Sequence, residues 1–259
     1  MMRVVNLAHG DLAVLASFLA LAIVTGTGMP LWVAIVVTAP SFAVLGYLTQ
    51  RLLLQHTLRV GPMATLVVTF GLSIVLQNVL LEIFSADTRT LDGGGFATGS
   101  WRLGEEIAIP YLSLATFALA VAVIVGIQLF LSRSALGRML RASSDDPDTA
   151  TLVGADSRHV YGIATAIAFG TVALAGVMMA MRSSFDPSTG PSRLLFAFEA
   201  VVIGGLGSLW GTLLGGMVLG LTQSFGAQID PALTVLGGHL VFLAVLAFRP
   251  QGLLPGRTS

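Results

Sequence analysis

The sequence predicts an all-α fold: a polytopic helical membrane protein with about seven or eight transmembrane helices and one short cytoplasmic helix. Three observations carry this. Hydrophobic residues make up 55% of the chain and charged residues 10%, whereas a soluble fold carries roughly 25% charged residues to cover its surface. Mean hydropathy is +0.88. Apolar runs of about 20 residues recur along the chain, the length that crosses a hydrocarbon core of about 30 Å at about 1.5 Å per residue.

Taken in order, the spans are expected at about 12 to 28, 30 to 48, 62 to 84, 110 to 131, 160 to 181, 211 to 228 and 232 to 248. An eighth segment, about 194 to 209, contains Glu199 and breaks into Gly204, Gly205 and Gly207, so a full span and a half-helix are both open. The first run begins almost at once and has no small-residue cleavage site after it, so it is expected to stay. Short cytoplasmic loops collect positive residues. With eight spans, one side receives Arg3, Arg51, Arg59, Arg133, Arg138, Arg141, Arg158, Arg249 and Arg257, and the other Arg89, Arg102, Arg182 and Arg193. The first side is therefore expected to be cytoplasmic.

Two connections are long. The one from 85 to 109 holds Asp87, Asp92, Gly93, Gly94, Gly95, Glu105 and Glu106 and reads as an irregular external loop. The one from 133 to 159 carries helix signals: Asp146 can cap, Pro147 suits the first helical position, Asp148 favours the positive end of the helix dipole, and Gly154 suits the C-terminal turn. A short helix is expected there, with Ala150, Leu152 and Val153 as a small apolar surface beside Arg138 and Arg141.

Glycine is the next signal, with 30 residues. Gly207, Gly211 and Gly215 lie four apart, and Gly216 and Gly220 repeat the spacing, so helix faces without side chains are expected to pack closely. Polar groups at membrane depth are costly and are functional candidates by default. They are Asn6, His9, Gly10 and Asp11 in the run Asn6-Leu7-Ala8-His9-Gly10-Asp11, with Glu199 and His239 further on. Asp11 precedes an apolar run and reads as a cap of the first helix. Glu199 reads as structurally paired, and His239 as a neutral imidazole bonding a neighbouring carbonyl.

Several classes are excluded or poorly supported. Thirteen Arg balance thirteen Asp plus Glu and no basic tract occurs, so nucleic-acid binding is set aside. The chain has no Cys, hence no disulfide, thiolate nucleophile or Cys-ligated metal, and four scattered His suggest neither a metal site nor a cofactor. No Ser, His and Asp set shares a depth, no HExxH motif is present, and no GxxxxGK[ST] loop is present to bind ATP, so the chain is not expected to be an enzyme.

The segments Asn6 to Asp11, Gly137-Arg138-Met139-Leu140-Arg141-Ala142 through Leu152-Val153-Gly154, and Ile203-Gly204-Gly205-Leu206-Gly207-Ser208 with Gly211 and Gly215-Gly216 resemble the permeases of branched-chain amino-acid ABC transporters, the LivH/LivM family. The closing Arg249-Pro250-Gln251-Gly252-Leu253-Leu254 is similar to that family's tail, and the LivH type is closer. The resemblance implies one permease domain over 1–259, in the bacterial inner membrane, paired with a second homologous permease subunit. It also implies two cytoplasmic ABC ATPase subunits and an extracytoplasmic substrate-binding protein that delivers a branched-chain or related small amino acid. The loop 133–159 then docks into the ATPase, making Arg138, Arg141, Ala150, Leu152 and Gly154 coupling candidates, with Asn6, His9, Gly10, Glu199 and His239 as candidates for the path. Relative to the family the chain lacks one N-terminal helix: either the start lies upstream or this copy is one span short. Permeases for urea or short amides share the pattern. A stand-alone secondary transporter stays open as a second class, although no inverted repeat is evident.

Overall fold

The computed structural model describes residues 5–58, 60–103, 107–145, 156–254 and 256. In chain order the elements are α1 (His9–Thr27), α2 (Leu31–Thr49), a π-helical turn (Gln50–Leu54), α3 (Gln55–Thr57), α4 (Pro62–Phe84) and α5 (Gly95–Thr98). They continue with β1 (Ser100–Leu103), β2 (Ile107–Pro110), α6 (Tyr111–Arg133), α7 (Ala135–Asp145), α8 (Ser157–Arg182), α9 (Gly190–Gly204), α10 (Leu209–Ile229) and α11 (Pro231–Phe248). Their ends follow local chemistry. Pro62 and Pro231 occupy the first helical positions, where a missing N–H costs nothing. Asp156 accepts from the Arg158 and His159 amides to start α8, Ser208 from Gly211 to start α10, and Asp230 from Ala232 to start α11. Gly28, at φ +67, closes α1 with its amide on the Val24 carbonyl.

Among the described residues six helices are long and apolar enough to cross a membrane: His9–Thr27, Leu31–Thr57, Pro62–Phe84, Tyr111–Arg133, Arg158–Arg182 and Pro231–Phe248. A seventh span arises if α9 and α10, bent by 116° at Gly205–Ser208, are counted as one. Segment 194 to 209 thus takes the shorter of its two expected forms. The 15 residues of α9 rise only about 22 Å, less than a hydrocarbon core of about 30 Å. With seven spans the whole-chain arginine balance shrinks, but the connections up to α8 keep their bias: Arg51, Arg59, Arg133, Arg138, Arg141 and Arg158 on one side, Arg89, Arg102 and Arg182 on the other. The hydrogen bond between Tyr47 and His159 brings the end of α2 to the start of α8, and the Arg89–Phe185 bridge marks the opposite end.

The long connection before α6 is more ordered than an irregular loop. It contains α5 and a hairpin in which Trp101 pairs with Ile109 and Arg102 with Ala108. The alternation Ile107-Ala108-Ile109 is the strand signal. The connection after α6 contains α7, which carries Arg138 and Arg141. Ser134 starts it by accepting from the Gly137 amide at 2.8 Å. The helix expected around Asp146, Pro147, Asp148, Ala150, Leu152 and Gly154 lies outside the described residues.

The chain forms two compact units, Met1–Leu119 with Leu129–Ser192, and Ala120–Gln128 with Arg193–Ser259. In the first, α8 packs against α1 and α2 around Val14, Phe18, Ala34, Leu80, Val177 and Phe185. Phe18 stacks on Phe84 at 4.5 Å and meets Phe185 edge-on at 5.0 Å. Glycines let the backbones close: a Cβ on Gly176 would stand 2.3 Å from the Ala13 carbonyl, and one on Gly46 2.7 Å from that of Thr165. In the second unit α10 packs against α11. Leu253 and Leu254 donate their amides to the Ile203 and Gly204 carbonyls, capping the last turn of α9. That is the structural work of the Arg249–Leu254 tail.

Candidate functional site

Among the described residues each unit buries one carboxylate inside its helices. In the first, Asp11 is the third residue of α1 and is buried. It does not cap the helix: the N-cap residue is Ala8, and no side chain caps it. Instead its Oδ2 accepts from Ser73 on α4, whose hydroxyl in turn accepts from Gln77 Nε2 at 3.1 Å. The second oxygen, Oδ1, has no hydrogen-bond partner among the described residues and lies against Gly190. A Cβ there would stand 2.0 Å from it, so this approach requires glycine at the start of α9.

The N-terminal motif surrounds this carboxylate. Asn6 Oδ1 accepts from the Ala8 amide at 2.9 Å, and the Leu7 amide donates to Thr69 Oγ1 at 3.2 Å. Gly10 is buried in the first turn of α1. His9 sets its ring edge-on against Phe169, with Nδ1 buried and unpartnered. Sequence reasoning missed Thr69, Ser73 and Gln77, yet a signal was there. Thr65, Thr69, Ser73 and Gln77 recur every four residues along α4, so they share one face, and the first three are buried.

In the second unit Glu199 on α9 and His239 on α11, forty residues apart in sequence, meet in a short contact between Oε1 and Nδ1. The partner of His239 is thus a carboxylate and not a backbone carbonyl. Phe196 stacks on the imidazole at 5.9 Å and 6°. Glu199 is 1% exposed, and its Oε2 has no hydrogen-bond partner among the described residues.

The five glycines of the small-residue pattern divide by role. A Cβ on Gly215 would stand 2.0 Å from the Ala200 carbonyl, and one on Gly211 2.4 Å from that of Gly204, so α9 and α10 meet backbone to backbone at these two. Gly207 has open space around it but adopts φ +84, in the turn between the two helices. A Cβ on Gly216 or Gly220 would meet nothing within 4 Å among the described residues. Close packing therefore does not extend to them, because they face away from α9.

On α7, Arg141 is exposed and Arg138 donates to the Arg133 carbonyl at 3.3 Å. Tyr161 ties α8 to α7 through the Ser143 carbonyl at 3.2 Å. Ala150, Leu152 and Gly154 lie outside the described residues. Opposite this end, the turn before α9 is organised by Asp186, which accepts from the Ser188 amide and hydroxyl and from Thr189 Oγ1. Those donors, the Ser188 hydroxyl foremost, hold its carboxyl below the ordinary aspartate range.

Chemically, each buried carboxylate satisfies one oxygen within the protein and leaves the other free to accept. No group of three or more His, Asp or Glu able to hold a metal occurs among the described residues. Apolar outer faces and ionisable groups inside the bundles define a multi-pass helical membrane protein with the pattern of a transporter. The sequence profile of the family described as "Branched-chain amino acid transport system / permease component" matches residues 1–247, and the chain belongs to that family. It is 31% identical to the high-affinity branched-chain amino acid transport system permease protein BraD of Pseudomonas aeruginosa, over 96% of this chain and 85% of that one. It is 24% identical to the permease protein LivH of Escherichia coli over the same shares. Identity to the probable LivH of Methanocaldococcus jannaschii is 25%, over 97% of this chain and 83% of the relative. No solved structure matches the chain.

Proposed function

We propose that this chain is a pore-forming subunit of an ATP-driven importer and carries branched-chain or related small amino acids across the bacterial inner membrane. The observation that carries the proposal is the family match over residues 1–247, together with relatives named as branched-chain amino acid permeases across nearly the whole chain. The free oxygens of Asp11 and Glu199 support it in chemistry, since an amino acid presents an ammonium group that a buried carboxylate accepts. Asn6, His9, Gly10 and His239 shape the surroundings of those two acids and are the remaining path residues in this proposal.

The working assembly pairs this chain with a second homologous permease, two cytoplasmic ABC ATPase subunits that hydrolyse ATP, and an extracytoplasmic binding protein. The end of the first unit bearing Arg51, Arg133, Arg138, Arg141 and Arg158 faces the cytoplasm by the positive-inside bias. The loop 133–159 docks there. Closure of the ATPases pushes on α7, and the tie from Tyr161 to Ser143 passes the push to α8.

Two experiments test this. Deleting the gene should abolish uptake of radiolabelled leucine, isoleucine and valine, and the plasmid-borne chain should restore it; unchanged uptake refutes the assignment, and selective loss of urea or short-amide uptake moves the substrate. For coupling, Leu152→Asp and Gly154→Trp should prevent co-purification with the ATPase while membrane insertion persists. Full co-purification would remove the loop from the interface.

A further inference from the structure

A cavity of about 200 Å³ in the first unit is lined by Arg51, Gln55, His56 and Arg158. It forms where the π-helical turn Gln50–Leu54 shifts the phase of the α2 helix. Arg51 is held in place: its Nη1 donates to the Tyr47 hydroxyl at 3.1 Å, its guanidinium lies 5.8 Å from the centre of the Tyr47 ring, and Tyr47 in turn contacts His159 Nδ1 at 2.9 Å. Gly162 leaves room for that ring, since a Cβ there would stand 2.6 Å from it. Neither Arg51 nor Arg158 forms an ion pair among the described residues. Gln55 Oε1 is buried and has no hydrogen-bond partner among the described residues.

We propose that this cavity binds the headgroup of an anionic phospholipid whose phosphate is followed by a hydroxyl-bearing group, as in phosphatidylglycerol. Two guanidiniums without carboxylate partners among the described residues call for an anion, and their forked donors match phosphate oxygens. The unpartnered Gln55 Oε1 calls for a donor beside that anion, which a headgroup hydroxyl supplies and a bare phosphate diester does not. The surroundings favour a lipid over a free ion. Leu48, Leu52, Val60 and Met63, at the same end of α2 and α4, are 46%, 72%, 79% and 76% exposed, an apolar surface for acyl chains. Basic pockets at the ends of membrane helices bind acidic lipids on this principle.

The test uses the full-length chain in nanodiscs of phosphatidylcholine, with labelled phosphatidylglycerol titrated in. The wild type should bind phosphatidylglycerol, and Arg51→Gln with Arg158→Gln should weaken binding on the order of 30-fold. Arg89→Gln, at the opposite end, should leave it unchanged. Gln55→Leu should weaken phosphatidylglycerol and spare phosphatidylmethanol, a phosphate diester whose headgroup carries no hydroxyl. Both arginines are exposed, and monodisperse elution of the double variant confirms its fold. Undiminished phosphatidylglycerol binding by the double variant overturns the proposal. So does equal competition by millimolar inorganic phosphate, which makes the occupant a free ion. Loss of ATPase association by the double variant in pure phosphatidylcholine, with its phosphatidylglycerol binding intact in the titration, overturns it in favour of a protein contact.

Discussion

Neighbouring glycines on α10 offer a sharp perturbation, because one carries a helix contact and the next does not. A Cβ on Gly215 would stand 2.0 Å from the Ala200 oxygen, 2.6 Å from the Gly204 nitrogen and 3.0 Å from the Ala200 carbon. All three are backbone atoms, so no rotamer change relieves the overlap and the helices must move apart. Overpacking by one carbon costs about 1–3 kcal/mol, and a rigid backbone clash belongs at about 3. At Gly216 the added methyl meets nothing within 4 Å, and alanine in place of glycine inside a helix gains about 0.5–1 kcal/mol. Gly215→Ala and Gly216→Ala should therefore differ by about 3–4 kcal/mol. In a thermal-unfolding assay in detergent, at about 2–4 °C per kcal/mol for a chain of this size, Gly215→Ala should melt roughly 6–12 °C lower while Gly216→Ala holds or rises slightly. Equal melting of the two variants would refute the α9–α10 backbone contact.

Three further outcomes follow from the polar groups. His239→Ala should destabilise the protein by about 1–3 kcal/mol by leaving buried Glu199 without its hydrogen-bond partner, whereas Glu199→Met combined with His239→Leu should restore most of that in the same melting assay. Ser73→Ala should cost about 1–3 kcal/mol by removing the donor to Asp11, with Ser73→Thr closer to wild type. The Asp186 carboxyl titrates below its unfolded value, so its stabilisation is complete above the ordinary aspartate pKa of about 3.9 and is lost as pH falls through the lower folded value. Protection of the 185–189 amides, measured as exchange relative to the intrinsic rate at each pH, should fall on acidification in that window for the wild type, and Asp186→Asn should show the lower protection already at pH 7.

Much of the fold was legible because membrane spans are written in composition. The run expected at 62 to 84 is α4, and those at 110 to 131, 211 to 228 and 232 to 248 match their helices within a few residues. Periodicity had less to say about 194 to 209, where length against bilayer thickness decides between a crossing and a half-helix. The polar residues at depth could be found one by one, but their partners could not. Asp11 and Ser73 are 62 residues apart, Glu199 and His239 forty, and only the packing of α1 on α4 and of α9 near α11 joins them. Two local structures escaped for a different reason. The π-helical turn keeps a helical sequence while shifting its phase, and α7 lies in a connection whose helix signals, from Asp146 to Gly154, come after it.

The central claim is that this chain forms a path whose energy comes from ATP hydrolysed on partner subunits. Proteoliposomes containing this chain with its partner permease and ATPases, supplied with the binding protein outside and ATP within, test it most directly. Leucine should accumulate only when ATP, the ATPases and the binding protein are all present, and should be indifferent to proton or sodium gradients. Accumulation driven by an ion gradient without the ATPases would contradict the account and return the chain to the class of stand-alone secondary transporters.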